Sequence, residues 1–203
     1  VALSNYSDLV SAVGDWLARS DLAARSPDFI ALAEARINRE LRVREMLDQV
    51  SSSVSEQTIA LPSDFLEVYR LTLDTENDVP LEYRPIEDSE LRVAGLTSGQ
   101  PMWFSILGDD IQLYPAPDGT YDYTLDYYAR VPALTSSATT NWLMTKAPDL
   151  YLFGALCEAE SFLQNDERIA IWEAKFQAAK RSLNGADQRA KRSSAPRRMR
   201  VVS

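Results

Sequence analysis

An α+β fold is what this sequence predicts: a helical bundle built by its N- and C-terminal helices, with a small antiparallel β-domain inserted between them and a basic, disorder-prone C-terminal tail. Three observations predict it. Apolar residues recur at helical spacing up to about position 48 and again from about position 134. Between those stretches the period drops to two, in short runs punctuated by Pro and Gly. From Arg189 onward periodicity gives way to positive charge. The expected organisation is 1–48 for the N-terminal helices, 49–133 for the inserted β-domain, 134–188 for the C-terminal helices and 189–203 for the tail.

Taken in order, Ser4 or Ser7 is placed to cap a first helix whose stripe is Leu9, Val10, Val13, Trp16 and Leu17. Ser26-Pro27-Asp28 has the form of a second start, with a capping serine, proline in the first turn and an acid behind it. Ile30, Ala33, Ile37 and Leu41 follow as its stripe, and Arg36, Arg39, Arg42 and Arg44 alternate with Glu34, Glu40 and Glu45 on the wet side. The period then changes. "VSSSVSEQTIALP" reads as one strand ending at Pro62. "FLEVYRLTLDT" sets Tyr69, Leu71 and Leu73 against Arg70 and Thr72, and "VPLEYRP" is a short strand or an edge. "IEDSELRVAGL" suggests a short helix closed by Gly95. The stretch from Pro101 to Pro132 reads as a three-strand meander, turning at Gly108-Asp109-Asp110 and at Pro115–Gly119. Its last strand puts Tyr121, Tyr123, Leu125, Tyr127 and Ala129 on one side. That ladder is either a packed inner face or a row of stacking platforms for a ligand.

Helical spacing returns at "SSATTNWLM". Pro148 and Asp149 open a helix apolar on most sides, which belongs in the middle of a bundle. Asn165 or Asp166 caps the last helix, with Ile169, Trp172, Phe176, Ala179 and Leu183 as its stripe, fading near Gly185. Trp16, Ile37, Leu41, Phe153, Leu156, Trp172 and Phe176 are the expected bundle core.

Composition narrows the function. With 45% hydrophobic and 25% charged residues in 203, the chain has the make-up of a soluble globular protein. No window approaches a membrane helix, and "VALSNYSDLV" lacks the basic and apolar regions of a signal peptide. There is no histidine, which removes Ser-His and Cys-His nucleophile pairs and histidine zinc sites together. No phosphate-binding loop or dinucleotide fingerprint occurs. The single Cys157 lies in an apolar helical run, the place of a buried, inert thiol. Asp109 and Asp110 are adjacent acids, but Gly-Asp-Asp between two strands is ordinary turn chemistry. No catalytic residue, metal ligand or cofactor follows from these residues.

Charge is unevenly spread. Of the 21 basic residues, Arg189, Lys191, Arg192, Arg197, Arg198 and Arg200 lie in the last fifteen positions with no acid, which leaves fifteen basic against thirty acidic residues before them. Such a tail is an interaction segment, and Val201 and Val202 offer it an apolar tip. Arginine dominance suits planar pairing with carboxylates and serves phosphates equally, so a nucleic-acid-binding module acting through the tail is the alternative function.

Five phrases resemble the head-to-tail adaptor (connector) proteins of tailed bacteriophages: "YSDLVSAVGDWLARSDL", "SPDFIALAEARINRELRVREM", "LPSDFLEVYRL", "IQLYPAPDGTYDYTLDYYARVPAL" and "NWLMTKAPDLYLFGALCEAESFLQNDERIAIWEAKF". Together they span nearly all of positions 5–185, and their order and spread carry the resemblance. It implies a non-enzymatic structural protein of the virion, assembled in the host cytoplasm. It also implies a homo-oligomeric ring, of twelve subunits to match a twelve-fold portal. The implied partners are the portal protein, a tail or nozzle protein, and genomic DNA passing without sequence-specific binding; no membrane is involved. On this view the tail residues from Arg189 to Val202 named above contact the portal, unless the tail is a dispensable solvated terminus; the face with Arg36, Arg39, Arg42 and Arg44 is either a subunit contact or plain i,i+4 pairing on a solvated face.

Overall fold

A computed structural model describes residues 3–18, 20–75, 78–88, 98–163 and 166–193. The chain divides at Glu45/Met46 and at Arg130/Val131 into two compact units, one helical and one β. The fold is mixed α+β, with helices from both ends of the sequence in one unit and the sheets in the other.

The helical unit begins with α1 (Tyr6–Leu17), capped by Asn5, whose side chain accepts the Asp8 N–H at 3.0 Å. The cap expected at Ser4 or Ser7 is therefore corrected. The Ser4 hydroxyl is spent on the Asp8 carboxylate at 2.5 Å, and Ser7 lies inside the helix. Ala18 closes α1 in the left-handed region, φ 54°, with its N–H returning to Asp15 and Gly14. A 3₁₀ segment, Ser20–Arg25, runs directly into α2 (Ser26–Glu40). Arg25 thus occupies the cap position, and Ser26 is not a cap but a buried first-turn residue whose hydroxyl has no partner among the described residues. Phe29, Ile30, Ala33 and Ile37 form the inner stripe of α2.

After the β unit come α3 (Trp142–Lys146), α4 (Pro148–Leu163) and α5 (Asp166–Ser193). Asn141 caps α3 by accepting the Met144 N–H, and its amide donates to the Pro132 carbonyl and the Tyr151 hydroxyl. The segment before it is strapped to α2: Asn38 accepts the Val131 N–H and Glu34 the Leu134 N–H. Glu34 is therefore not on the wet side, and burial raises its pKa.

α4 is the central helix its composition foretold. Leu150, Tyr151, Leu152, Ala155, Leu156 and Ala159 are all buried. Gly154 marks where the packing is closest, because a Cβ there would lie 3.0 Å from that of Ala33 and 3.3 Å from the Phe176 ring. A mid-helix glycine costs about 0.5–1 kcal/mol relative to alanine, and the close approach of α2 and α5 to α4 accounts for it.

Four of the expected core residues, Ile37, Leu41, Leu156 and Phe176, are buried. Three are not. Trp16 is 46% exposed, and Phe153 and Trp172 are only half-buried. α5 also runs beyond Gly185, through the first residues assigned to the tail, to Ser193. Apolar periodicity does fade there, but a polar contact replaces it: the buried Asp187 carboxylate accepts the Arg44 N–H at 3.1 Å.

The β unit packs two four-stranded sheets through one shared core. Its strands are β1 (Leu47–Val54), β2 (Thr58–Ala60), β3 (Phe65–Leu73), β4 (Val79–Pro80), β5 (Glu82–Tyr83), β6 (Trp103–Leu107), β7 (Asp110–Tyr114) and β8 (Tyr121–Ala129). The sheet orders are β1-β8-β3-β4 and β2-β7-β6-β5. Leu71, Leu73 and Leu125 of the first meet Ile59, Phe104 and Ile111 of the second in the core.

Three strand expectations change. The single strand ending at Pro62 is two, because the chain crosses between sheets at Ser55–Gln57. The three-strand meander is a β6–β7 hairpin plus β8 in the opposite sheet, with the proline-bearing segment Pro115–Thr120 making the crossing. "VPLEYRP" supplies β4 and β5, one to each sheet, and β5 lies parallel to β6, the one parallel pair between described strands. Most of the helix expected over "IEDSELRVAGL", with Gly95, lies outside the described residues.

The tyrosine ladder of β8 faces inward, with Tyr123, Leu125, Tyr127 and Ala129 buried. The Tyr127 hydroxyl donates to Asp64 at 3.1 Å, and its pKa is pushed up to about 12, first by burial and then by that bond. Tyr69 of β3 does not face inward. The register slips between Val68 and Arg70, and this bulge turns Tyr69 outward to 60% exposure, edge-on to Tyr128.

Phe176→Ala is expected to cost about 3–5 kcal/mol, as for a fully buried aromatic. Trp172→Ala should cost clearly less, because part of its ring is already in water. Gly154→Ala should destabilise by about 1–3 kcal/mol, although alanine is the better helix former. Urea melts of the three variants check this ordering; a neutral Gly154→Ala would remove the close-approach account.

Candidate interaction surfaces

The four arginines of the α2 region have different fates. Arg36 is half-buried. Its guanidinium makes two bonds to Glu173 of α5, at 2.8 and 2.7 Å, a third to Glu40 at 2.8 Å, and lies 4.3 Å over the Phe176 ring. Arg42 donates to the carbonyls of Asn38 and Leu41, which turns it back on the C-terminus of α2. Arg44 is exposed and pairs loosely with Glu45 at 3.8 Å. Arg39 is exposed on the last turn of α2.

A polar row follows from this. Arg36 meets Glu173, Glu40 meets Lys180 at 2.6 Å, and the Arg44 N–H meets Asp187. The partners advance by four along the first segment and by seven along α5, so α2 and α5 run in the same direction. Glu45 also takes an ion pair from Lys146 of α3. The sequence shows the arginines, but not that one acid of Arg36, Glu173, stands 137 positions away.

The three misplaced aromatics form a cluster on the surface of the helical unit. Trp16 lies edge-on to Phe153 and Trp172 at 6.1 and 5.6 Å between ring centres, and Phe153 stacks on Trp172 at 6.2 Å. The Lys175 ammonium sits 5.2 Å over Phe153. Phe162, 53% exposed, packs beside Phe29 under the Arg25 guanidinium.

Within the β unit a groove of about 420 Å³ opens between β3 and β6. Leu71, Leu81 and Phe104 are its buried apolar floor, and Tyr69 and Tyr83 stand exposed at its rim. The unit as a whole is strongly acidic: Met46–Arg130 holds sixteen Asp and Glu against four Arg and no Lys, a formal charge of −12. The remainder of the chain carries seventeen basic and fourteen acidic residues, +3.

The other candidates fall as follows. Asp109 and Asp110 sit exposed on the β6–β7 turn, behind Gly108 at φ +62°. Among the described residues no group of His, Cys, Asp or Glu could hold a metal ion. Cys157 is buried beside Glu173, and burial first, then that negative charge, pushes its thiol up to about 12. No described helix is long and apolar enough to cross a membrane. Of the tail residues, Arg189 is exposed on α5, and Lys191 and Arg192 are placed in its last turn. Arg197, Arg198, Arg200, Val201 and Val202 lie outside the described residues.

What the two units present is contact surface: a part-exposed aromatic cluster, a charged helix face and an apolar groove. The model of the SU10 adaptor protein family matches residues 4–200. The chain belongs to that family. A comparison with curated proteins returned no match. SU10 adaptor proteins are a phage head-to-tail adaptor family, a structural class of virion component and not an enzyme class. Membership accounts for a chain whose conspicuous features are contact surfaces, and it implies interaction with other head and tail components of the phage.

Within this SU10 adaptor the Arg36–Glu173 pair predicts a pH dependence. Arg36 holds the Glu173 carboxyl at about 2, below its ordinary 4.5, against an opposing effect of burial. A depressed carboxylate pKa stabilises the folded state above pH 4.5, and that contribution is lost as pH falls toward 2. The Glu173 side chain is 38% exposed, so solvent screening reduces the effect to about 1 kcal/mol. Glu173→Gln should lower stability at pH 7 by about that amount and flatten its fall between pH 4.5 and 2. Melting curves across that range test it; parallel pH profiles for the two proteins would refute it.

Proposed function

We propose that this chain assembles with copies of itself into a ring that joins the portal to the tail, leaving a central path for DNA. Family membership supports the adaptor role, and the part-exposed aromatic cluster on the helical unit carries the oligomeric part of the reading. Trp, Phe and Arg are the residues that concentrate binding energy at protein interfaces, and Trp16, Phe153 and Trp172 gather on one surface instead of in the core. A closed ring uses a heterologous interface, in which one patch meets a different patch on the next copy. Arg39 and Arg44 are the arginines best placed to join such a contact, since Arg36 and Arg42 are engaged within the subunit. Twelve copies would match a twelve-fold portal.

Charge supports the DNA path. A surface that conducts DNA must not retain phosphates, and the −12 of the β unit is repulsive to them. The same charge opposes the nucleic-acid-binding alternative, in which the basic tail would have to overcome its own chain.

The test is electron microscopy of the protein alone and mixed with its portal. Rings docked on the portal are expected. A protein that stays monomeric with the portal, or is retained on duplex DNA in a salt-dependent way, would overturn the reading. Arg39→Glu with Arg44→Glu should weaken ring formation with an unchanged circular dichroism spectrum, and unaltered rings would remove these two side chains from the interface.

A further inference from the structure

β3 presents an open edge beside an apolar groove. β4 pairs only with Thr72 and Leu73, and Leu81 adds one bond to the Leu71 carbonyl, so Phe65–Arg70 has no strand beyond it among the described residues. Across the groove, β5 pairs only with Trp103 and Phe104 of β6. An extended backbone edge next to a groove with an apolar floor is the recognition surface for one further strand, held by main-chain hydrogen bonds and by alternate side chains pressed into the groove. The bulges at Leu66 and Tyr69 limit it to a short segment.

The electrostatics specify the incoming strand. The one arginine lining the groove, Arg70, is already committed to Asp126. The groove lies in a unit with sixteen acids and four arginines. The strand that fits is short and basic, with apolar residues at every second position. The pattern occurs at Leu41–Arg44, where Leu41 and Val43 are already buried in the helical unit, and again at the C-terminus. In "RRMRVV", Arg197–Val202, Met199 and Val201 share one side of an extended strand and Arg198 and Arg200 the other. Its six residues match the six of the open β3 edge, a span of about 20 Å.

We propose that the C-terminal arm of a second copy of this chain adds to β3 as an edge strand, with Met199 and Val201 in the groove and Arg198 and Arg200 facing the acidic surface of the β unit. The arm then clasps one subunit to the next, and its acceptor is a sister subunit and not the portal. This inference rests on the oligomeric reading above, but its test does not require closed rings.

Two full-length variants with different affinity tags, Tyr83→Cys and Val201→Cys, are mixed and oxidised. The native Cys157 is buried with a suppressed thiolate, so it stays silent. A disulfide joining the two tags is expected, in several-fold excess over either like-tagged pair. It should fall several-fold at high salt and when Arg198 and Arg200 are also changed to Glu. A mixed product no more abundant than the like-tagged ones overturns the proposal, whether or not rings are seen. So does a Val201→Cys arm that cross-links to purified portal in preference to Tyr83→Cys. Rings without the mixed cross-link would leave the oligomeric reading standing and remove only the clasp.

Discussion

Arg36 closes the helical unit. α2 and α5 are separated in sequence by the whole β unit; both pack on α4, and the Arg36–Glu173 pair ties them to each other. The guanidinium meets Glu173 with two parallel bonds while lying on Phe176, one residue type using its charge, its planarity and its flat face together. Arg36 keeps its bond to Glu40 in any register of α5, but only the observed register adds the two Glu173 bonds and the Phe176 face. Gly154 works from the opposite side. By lacking a side chain it lets α4 lie between Ala33 and Phe176, where an added Cβ would press on both.

With the register set, the rest of the polar row follows. Lys180 reaches Glu40 and Asp187 reaches the Arg44 N–H. The last contact lies at the point where α2 has ended and the chain is about to leave for β1. A buried carboxylate receiving a backbone N–H defines a chain direction better than an apolar contact does, because a buried acceptor left unpaired costs about 1–3 kcal/mol or more. The straps at Asn38 and Glu34 do the same for the segment that returns from β8. Both crossings of the insertion are thus held on the helical side by polar groups.

These polar ties are what the sequence conceals. The stripes at Leu9, Val13 and Leu17 and at Ile30, Ala33 and Ile37 are legible because helical period is a local property. The inward ladder of β8 is legible for the same reason. Trp16 and Trp172 mislead because a stripe gives the facing direction of a helix and not how far the neighbouring helix extends to cover its margin. Tyr69 misleads because a bulge belongs to a pair of strands, and nothing in "FLEVYRL" announces the slip against β8. The division of β6, β7 and β8 between two sheets is hidden likewise, since a hairpin turn and a crossing between sheets draw on the same Pro-, Gly- and Asp-rich vocabulary. As for the surfaces, the arginines of α2 are plain in the sequence. Which of them remain exposed depends on Glu173 and Glu40, and the open edge of β3 is a fact of topology alone.

The charge partition gives these surfaces a common logic. Tyr69, Tyr83, Trp16 and Phe162 are all large and about half exposed or more, a liability for an isolated chain. A formal charge of −9 keeps identical chains apart at long range. Most of that charge lies on the β unit and almost none of the compensating positive charge does, so two copies approaching with like surfaces repel. They attract only when a basic segment of one meets the acidic unit of the other, which is the head-to-tail sense that a ring requires and a two-fold dimer does not. Lysine is absent from the β unit, and three of its four arginines fall among the described residues, two of them already bound to acids. The unit can satisfy little of its negative charge from within. Counterions or a basic segment of another chain can screen it, and the chain's own basic excess lies from Arg189 onward.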